Sequence, residues 1–202
     1  MTAKLILASA SPRRRALLEQ LDLPFRVITA DVDERVLPGE TPGEYVVRTA
    51  AKKAWTVNEN AGDALRLPVL AADTTVVLDK QILGKPADGA EAAAMLQKLS
   101  GQTHEVYSGV VVLAGEEERH RLSVSRVTFA EFEPEWIEAY CLSGEPLDKA
   151  GAYGVQGHAA QFISRLEGSY SGVMGLPLFE TMQLLREAGI RVIPQPAAVN
   201  PI

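Results

Sequence analysis

The sequence predicts an α/β fold built on a mixed β-sheet. Strand-like apolar runs alternate with capped helical stretches along the chain. A hydrophobic content of 47% and a charged content of 23% over 202 residues suit a sizeable globular core. No internal repeat or low-complexity linker divides the sequence, so residues 1–202 read as a single domain, with only the proline-containing tail 194–202 loosely ordered.

Taken in order, Leu5-Ile6-Leu7 forms the first strand. Ser9-Ala10-Ser11 makes a tight loop. Ser11 is placed as the N-cap of a helix, and Pro12 takes the first helical position, where its missing N–H costs nothing. That helix continues through Ala16-Leu17-Leu18-Glu19-Gln20-Leu21. A second strand is expected at Phe25 to Ala30. Thr41-Pro42-Gly43-Glu44 is a capping box that opens a helix running to about Asn58. Val46, Ala50 and Val57 line one face of it, and the helical period puts Lys53 on that same apolar face.

Val69 to Leu78 is a strand-like run interrupted by Asp73-Thr74-Thr75. Asp79-Lys80-Gln81 turns the chain into a short return strand reaching Leu83-Gly84-Lys85-Pro86. Asp88 with Glu91 caps a further helix that ends near Leu99-Ser100-Gly101. Strands at about 105–113 and 120–130 follow, joined by the acidic turn Gly115-Glu116-Glu117-Glu118. Pro134 to Leu142 reads as a helix ending at Gly144. The glycine-rich stretch Gly151 to Gly157 precedes a strand around Phe162-Ile163. Pro177 to Ala188 reads as a helix with Gly189 just past its end, and Ile190 to Ile193 as a last strand.

Charge and cysteine usage exclude several function classes. A net charge of −6 and a pI of about 5.2 argue against a general nucleic-acid-binding surface, while leaving room for a local basic pocket. The single Cys141 cannot form an internal disulfide and reads as a structural thiol. No leader pattern and no run of membrane-spanning length appears, so no membrane partner and a cytoplasmic setting are expected. His104, His120 and His158 are scattered, which argues against zinc. No glycine-lysine phosphate loop and no Gly-x-Ser-x-Gly elbow is present.

The residues that could carry chemistry cluster around phosphate recognition. A helix N-terminus favours an anion, yet Arg13, Arg14 and Arg15 place three cations in its first turn. A bound polyanion resolves that conflict, with the hydroxyls of Ser9 and Ser11 and the arginine forks all able to bind phosphate oxygens. A solvated basic turn is the plainer account of the same residues. Asp73 stands in an apolar run, where a carboxylate must be paired, hydrogen-bonded or metal-bound; tightening a strand-end turn with Thr74 and Thr75 is its alternative. Lys53 is either a cleft cation or a snorkelling side chain, and Lys85 either a second cation or an ordinary turn lysine. Glu34, in the acidic loop after the second strand, is either solvated or an oxygen ligand for a hard cation such as Mg²⁺.

Several segments together resemble the Maf family of nucleoside triphosphate pyrophosphatases along nearly the whole chain. They are Leu5-Ile6-Leu7-Ala8-Ser9-Ala10-Ser11-Pro12-Arg13-Arg14, Ala72-Asp73-Thr74, Gly84-Lys85-Pro86, Leu99-Ser100-Gly101-Gln102-Thr103-His104, and Asp148-Lys149-Ala150-Gly151-Ala152-Tyr153-Gly154-Val155-Gln156-Gly157. The last segment is similar to the branch acting on dTTP and UTP rather than on 7-methyl-GTP. The resemblance implies a long mixed sheet flanked by helices, with two lobes around a central cleft, similar to inosine triphosphate pyrophosphatases. It implies hydrolysis of the α–β anhydride to a monophosphate and pyrophosphate, a divalent metal cation (Mg²⁺ or Mn²⁺), and a homodimer. Asp73 matches the proton acceptor, and Arg13, Thr74 and Gln156 match positions linked to substrate choice. Glu34, Lys53 and Lys85 match charged cleft positions. Asp73 is thus expected as the water-activating base or, with Glu34, as a metal ligand. Ser9, Ser11, Arg13, Arg14, Lys53, Thr74, Lys85 and Gln156 are expected to contact substrate. A nucleotide-binding regulator of cell division is the alternative; it needs the cations but not Asp73.

Overall fold

A computed structural model describes residues 2–61 and 67–193. The expected loose tail, 194–202, lies outside the described residues. The chain forms a seven-stranded mixed sheet flanked by helices. Strands β1 (Leu5–Leu7), β2 (Phe25–Val27), β3 (Val69–Leu78), β5 (Thr103–Ala114), β6 (Glu117–Phe129) and β7 (Ile163–Glu167) lie in the order β2-β1-β3-β5-β6-β7, and β4 (Gln81–Leu83) pairs with β3. Pairing is parallel among β2, β1 and β3 and antiparallel elsewhere.

The strand expected at Val69–Leu78 forms with those bounds, and Asp73 stands within it, not at a strand-end turn. β3 runs unbroken, and Asp73, Thr74 and Thr75 pair with Gly109, Ser108 and Tyr107 of β5. Polar side chains are tolerated mid-strand because the opposite edge of β3 forks. β1 pairs with Val69 and Leu70, whereas β4 pairs with Val76 to Leu78. Residues 71–75 are left between these two neighbours, and the fork opens a cleft at Asp73.

Alternation along β3 builds two apolar layers. Val69 and Ala71 pack with Ile6, Ala8, Val111 and Leu113 beneath helix α2 (Pro42–Ala61), which contributes Ala50, Ala54 and Val57. Leu70 and Ala72 pack on the other face with Leu5, Leu7, Val110 and Val112. That face is covered by Leu17 and Leu18 of α1 (Pro12–Glu19) and by Leu184 and Leu185 of the helix Leu178–Glu187. Both predicted capping motifs form: Glu44 N–H donates to Thr41 and Thr41 N–H to Glu44, while Glu91 N–H donates to Asp88.

Helix α2 lies unusually close to the sheet because β5 carries Gly109. A Cβ built there would come within 2.8 Å of the Val46 and Val47 backbone. The missing side chain lets the helix cross directly over the strand position paired with Asp73. Lys53, two turns further along α2, is thereby brought over the sheet.

A third cluster gathers around β4. Helices α3 (Gly89–Leu99) and α4 (Pro134–Leu142) pack Leu96, Leu99, Ile137 and Tyr140 against Val76, Leu83, Val106 and Val127. Phe129, Phe132, Trp136, Tyr153 and Phe162 add interlocking rings. His104 is sealed among them, 1% exposed, with Nε2 2.8 Å from the Tyr153 hydroxyl. Burial pushes its imidazole down from 6.5 to about 4.

Three expectations need correction. β2 ends at Val27 instead of Ala30, because β1 offers only three residues to pair with; Ile28 N–H closes the ladder on Leu7, and Ile28 and Ala30 turn to pack under α2. Ile190–Ile193 is not a strand. Its apolar pattern reflects packing of Ile190 and Val192 on the Leu184–Leu185 layer, and Ile190 N–H bonds to Leu185 of the preceding helix. A short helix, α5 (Tyr170–Met174), was not anticipated; Ser169 caps it by accepting from Gly172 N–H. The last helix, α6, is then Leu178–Glu187.

Two outcomes follow from this packing. Gly109→Ala overpacks the contact between α2 and the sheet and is expected to lower stability by about 1–3 kcal/mol in urea denaturation; an unchanged midpoint would show that α2 does not depend on this close approach. His104 is neutral in the fold down to about pH 4 but takes up a proton near pH 6.5 when unfolded. The unfolded chain therefore binds more protons in that window, and stability falls as pH falls through it, by about 2 kcal/mol between pH 7 and pH 5. His104→Gln removes this component, so its urea midpoint should move less with pH than that of the wild type.

Candidate active site

The cleft at the β3 fork encloses about 640 Å³. Ser9, Ser11, Arg13, Arg14, Glu34, Lys53, Asp73, Thr74, Lys85 and Gln156 all line it. These residues come from the β1–α1 loop, the first turn of α1, the loop after β2, α2, β3, the segment after β4 and the glycine-rich stretch, so only the fold brings them together.

Asp73 and Lys53 form its buried centre. Lys53 Nζ donates to Asp73 Oδ1 at 2.7 Å and lies 2.6 Å from Glu34 Oε1, while Lys85 Nζ stands 3.6 Å from Glu34 Oε2. Asp73 and Lys53 are 6% and 9% exposed, so neither charge could persist there unpaired. Burial pushes the Glu34 carboxyl up, but the contacts with Lys53 and then Lys85 outweigh it and hold the group below its ordinary range. Tyr45 overlooks the same carboxylates; burial, and then Asp73 and Glu34, push its phenol up to about 12.

The arginine turn divides its labour. Arg15 reaches out to Glu19 on the surface, 2.9 Å away, and takes no part in the cleft. Arg14 turns in: Nε donates to the Gly175 carbonyl at 2.7 Å and Nη2 to Thr74 Oγ1 at 3.4 Å. Burial lowers the Arg14 pKa, Arg13 adds to this, and Asp73 and Glu34 oppose it. Arg13 Nη1 meets Asp148 Oδ2 at 3.0 Å, and Asp148 Oδ1 meets Lys149 Nζ at 2.6 Å. Ser11 caps α1 by accepting from Arg14 N–H, and Ser9 accepts from Ser11 N–H. Both hydroxyls use an oxygen lone pair for this and keep their protons for an acceptor.

Sequence reasoning singled out neither Asp148 nor Lys149 as site residues, although both line the cleft. They stand in the glycine-rich segment, and nothing local marks a carboxylate that will meet Arg13 across 135 positions. Ser108 was missed for a similar reason. It sits at a strand position where small polar residues are unremarkable, yet it bonds both Thr74 and the Gly172 carbonyl.

The donors expected for a metal are Glu34 and Asp73, since the third cleft carboxylate, Asp148, is paired with Arg13 and Lys149. Their oxygens already converge on one cation, the Lys53 ammonium. No group of three or more acidic, histidine or cysteine ligands occurs among the described residues. Two hard oxygen donors nonetheless fit Mg²⁺ in a nucleotide site, where one or two carboxylates suffice and phosphate oxygens and water complete the sphere.

Chemically, the arrangement offers a floor of cations for a polyanion, hydroxyl donors at a helix N-terminus, and one buried carboxylate opposite them. A dTTP/UTP pyrophosphatase from Cupriavidus metallidurans is 52% identical over 198 residues, covering 94% of this chain and 99% of that protein. A dTTP/UTP pyrophosphatase from Hahella chejuensis is 50% identical over 189 residues, covering 94% of each chain. Among solved structures, a nucleoside-triphosphatase / dITP/XTP pyrophosphatase from Mycobacterium abscessus is similar over 91% of this chain and 96% of that one, at 15% identity and a TM-score of 0.46. The family model described as Maf-like protein matches residues 4–188, which spans every element of the sheet and every residue of the cleft named above, and the chain therefore belongs to the Maf family.

Proposed function

We propose that this chain is a nucleoside triphosphate pyrophosphatase that hydrolyses the α–β anhydride of dTTP and UTP, in a single domain whose lobes meet at the cleft. The observation that carries the reading is the buried Asp73 carboxylate facing a set of cations, Arg13, Arg14, Lys53 and Lys85, in one hollow. A triphosphate brings dense negative charge, and more develops on the leaving pyrophosphate. Fixed cations stabilise that charge without reorganising at the moment of reaction.

Asp73 holds its orientation through Lys53, which engages Oδ1 and leaves Oδ2 to the cleft. In the reaction it orients a water for attack on the α-phosphorus and takes up a proton as the P–O bond to the β-phosphate breaks. Ser9 and Ser11 donate to phosphate oxygens, and Arg13 and Lys85 supply positive charge to the departing pyrophosphate. Glu34 and Asp73 would hold a divalent cation, Mg²⁺ or Mn²⁺, which when bound neutralises phosphate charge and makes bound water more acidic.

Gln156, exposed on the wall formed by Tyr153, Gly154 and Val155, reads the base. Uracil and thymine present an imide N–H beside carbonyl oxygens, and one amide can accept from the first and donate to the second. Cytosine exchanges the donor and acceptor positions along that edge, so an amide held in the orientation that suits the imide meets it donor to donor and acceptor to acceptor. A nucleotide-binding regulator of cell division would need the cations but no water-activating carboxylate, so Asp73 favours the enzyme.

A panel of purine and pyrimidine triphosphates, assayed for pyrophosphate with Mg²⁺ and with chelator, tests the reading. Release from UTP and dTTP is expected, and it should stop with chelator; a preference for purines would overturn the substrate, and indifference to chelator the metal. Asp73→Asn should keep nucleotide binding in calorimetry while losing about 10²–10⁴-fold in turnover, whereas unchanged turnover would leave the regulator. Gln156→Glu should weaken turnover of UTP and dTTP more than affinity for inorganic triphosphate, and equal turnover would remove Gln156 from base selection.

A further inference from the structure

Thr74 and Ser108 stand opposite each other on β3 and β5, with their hydroxyl oxygens 2.8 Å apart. Ser108 is 1% exposed and lies behind the cleft wall. Its hydroxyl carries one proton, and that proton goes to the Gly172 carbonyl 2.7 Å away, since a carbonyl has nothing to donate. The contact with Thr74 must then use a lone pair of Ser108, so Thr74 is the donor. Arg14 Nη2 approaches Thr74 Oγ1 from 3.4 Å and can only donate. The hydrogen bonds run one way: Arg14 to Thr74, Thr74 to Ser108, Ser108 to Gly172 of α5.

We infer that Ser108 is a positioning residue that locks Thr74 as a hydrogen-bond acceptor toward the cleft, so that the substrate group meeting Thr74 is a donor and not a phosphate oxygen. A sugar hydroxyl and an imide N–H are the donors a pyrimidine nucleotide offers. The identity of the ligand rests on the pyrophosphatase reading; the direction of the chain does not. The same chain fixes α5, whose neighbouring Gly175 carbonyl holds Arg14 Nε, so the acceptor on Thr74 and the orientation of Arg14 are set by one framework.

Neutron diffraction from deuterium-exchanged, substrate-free crystals reads the direction itself. A deuteron on Thr74 Oγ1 aimed at Ser108 is expected, and one aimed into the cleft overturns the inference whatever the enzyme does. A mutant cycle with UTP reads its consequence. Ser108→Ala should lower kcat/KM by about five- to tenfold, the worth of one hydrogen bond. In a Thr74→Val background the same change should cost less than twofold; an equal further loss would mean that Ser108 acts through α5 packing, not through Thr74. Three UTP analogues lacking one donor each, 2′-deoxy, 3′-deoxy and N3-methyl, separate the donors. The one that meets Thr74 should lose against wild type and lose no further against Thr74→Val, and additive losses for all three would overturn a donor at this position.

Discussion

The Lys53 ammonium, held between the carboxylates of Glu34 and Asp73, is the interaction on which the rest of the site depends. It joins the loop after β2, helix α2 and strand β3 at one buried point. A charge this deep costs several kcal/mol to desolvate and survives only with close partners. With two carboxylates on one ammonium, the centre keeps a formal negative charge, which draws cations. Lys85 already answers it from the cleft rim, and a metal ion would answer it more strongly.

That centre exists because β3 forks. A strand paired along its full length on both edges would bury residues 71–75 in the sheet, where an aspartate could not be accommodated. Here the pairing with β1 stops at Leu70 of β3 and the pairing with β4 begins at Val76, and the opening between them exposes Asp73 and Thr74 to a common hollow from opposite faces of the strand. Asp73 faces α2 and Lys53. Thr74 faces α5, Ser108 and Arg14. The strand thus separates a carboxylate wall from an arginine wall while keeping both within one cleft. Gly109 completes the arrangement by letting α2 lie against the sheet, without which Lys53 would stand too far out.

The far wall of the cleft is anchored differently. Tyr153 lines the hollow, yet its hydroxyl is tied back to buried His104, and its ring packs on Phe129. Burial raises the Tyr153 phenol well above its ordinary range, so it stays protonated. The segment carrying Gln156 therefore extends from a rigid aromatic base. Support of this kind is what discrimination between ligands that differ in donor and acceptor positions requires of polar partners, which must not relax toward the wrong ligand.

Local chemistry in the chain was enough to specify every α-helix but α5 and most strands. The Thr41–Glu44 capping box, the Ser11–Pro12 helix start and the Asp88 cap each act within a few residues, and each formed as read. The helical period likewise placed Lys53 on the inward face of α2, and the order of short motifs identified the family. What the sequence left open depends on contacts between distant positions. An aspartate amid apolar residues left a strand-end turn open as an alternative, because nothing local says that the neighbouring edge is vacant. The apolar run 190–193 read as a strand, because burial against a helix layer and burial in a ladder select the same side chains. Asp148 against Arg13, and Ser108 behind Thr74, involve residues with no distinctive pattern of their own. Their roles arise only when the sheet sets them side by side, since hydrogen-bond direction and charge pairing are properties of positions in space.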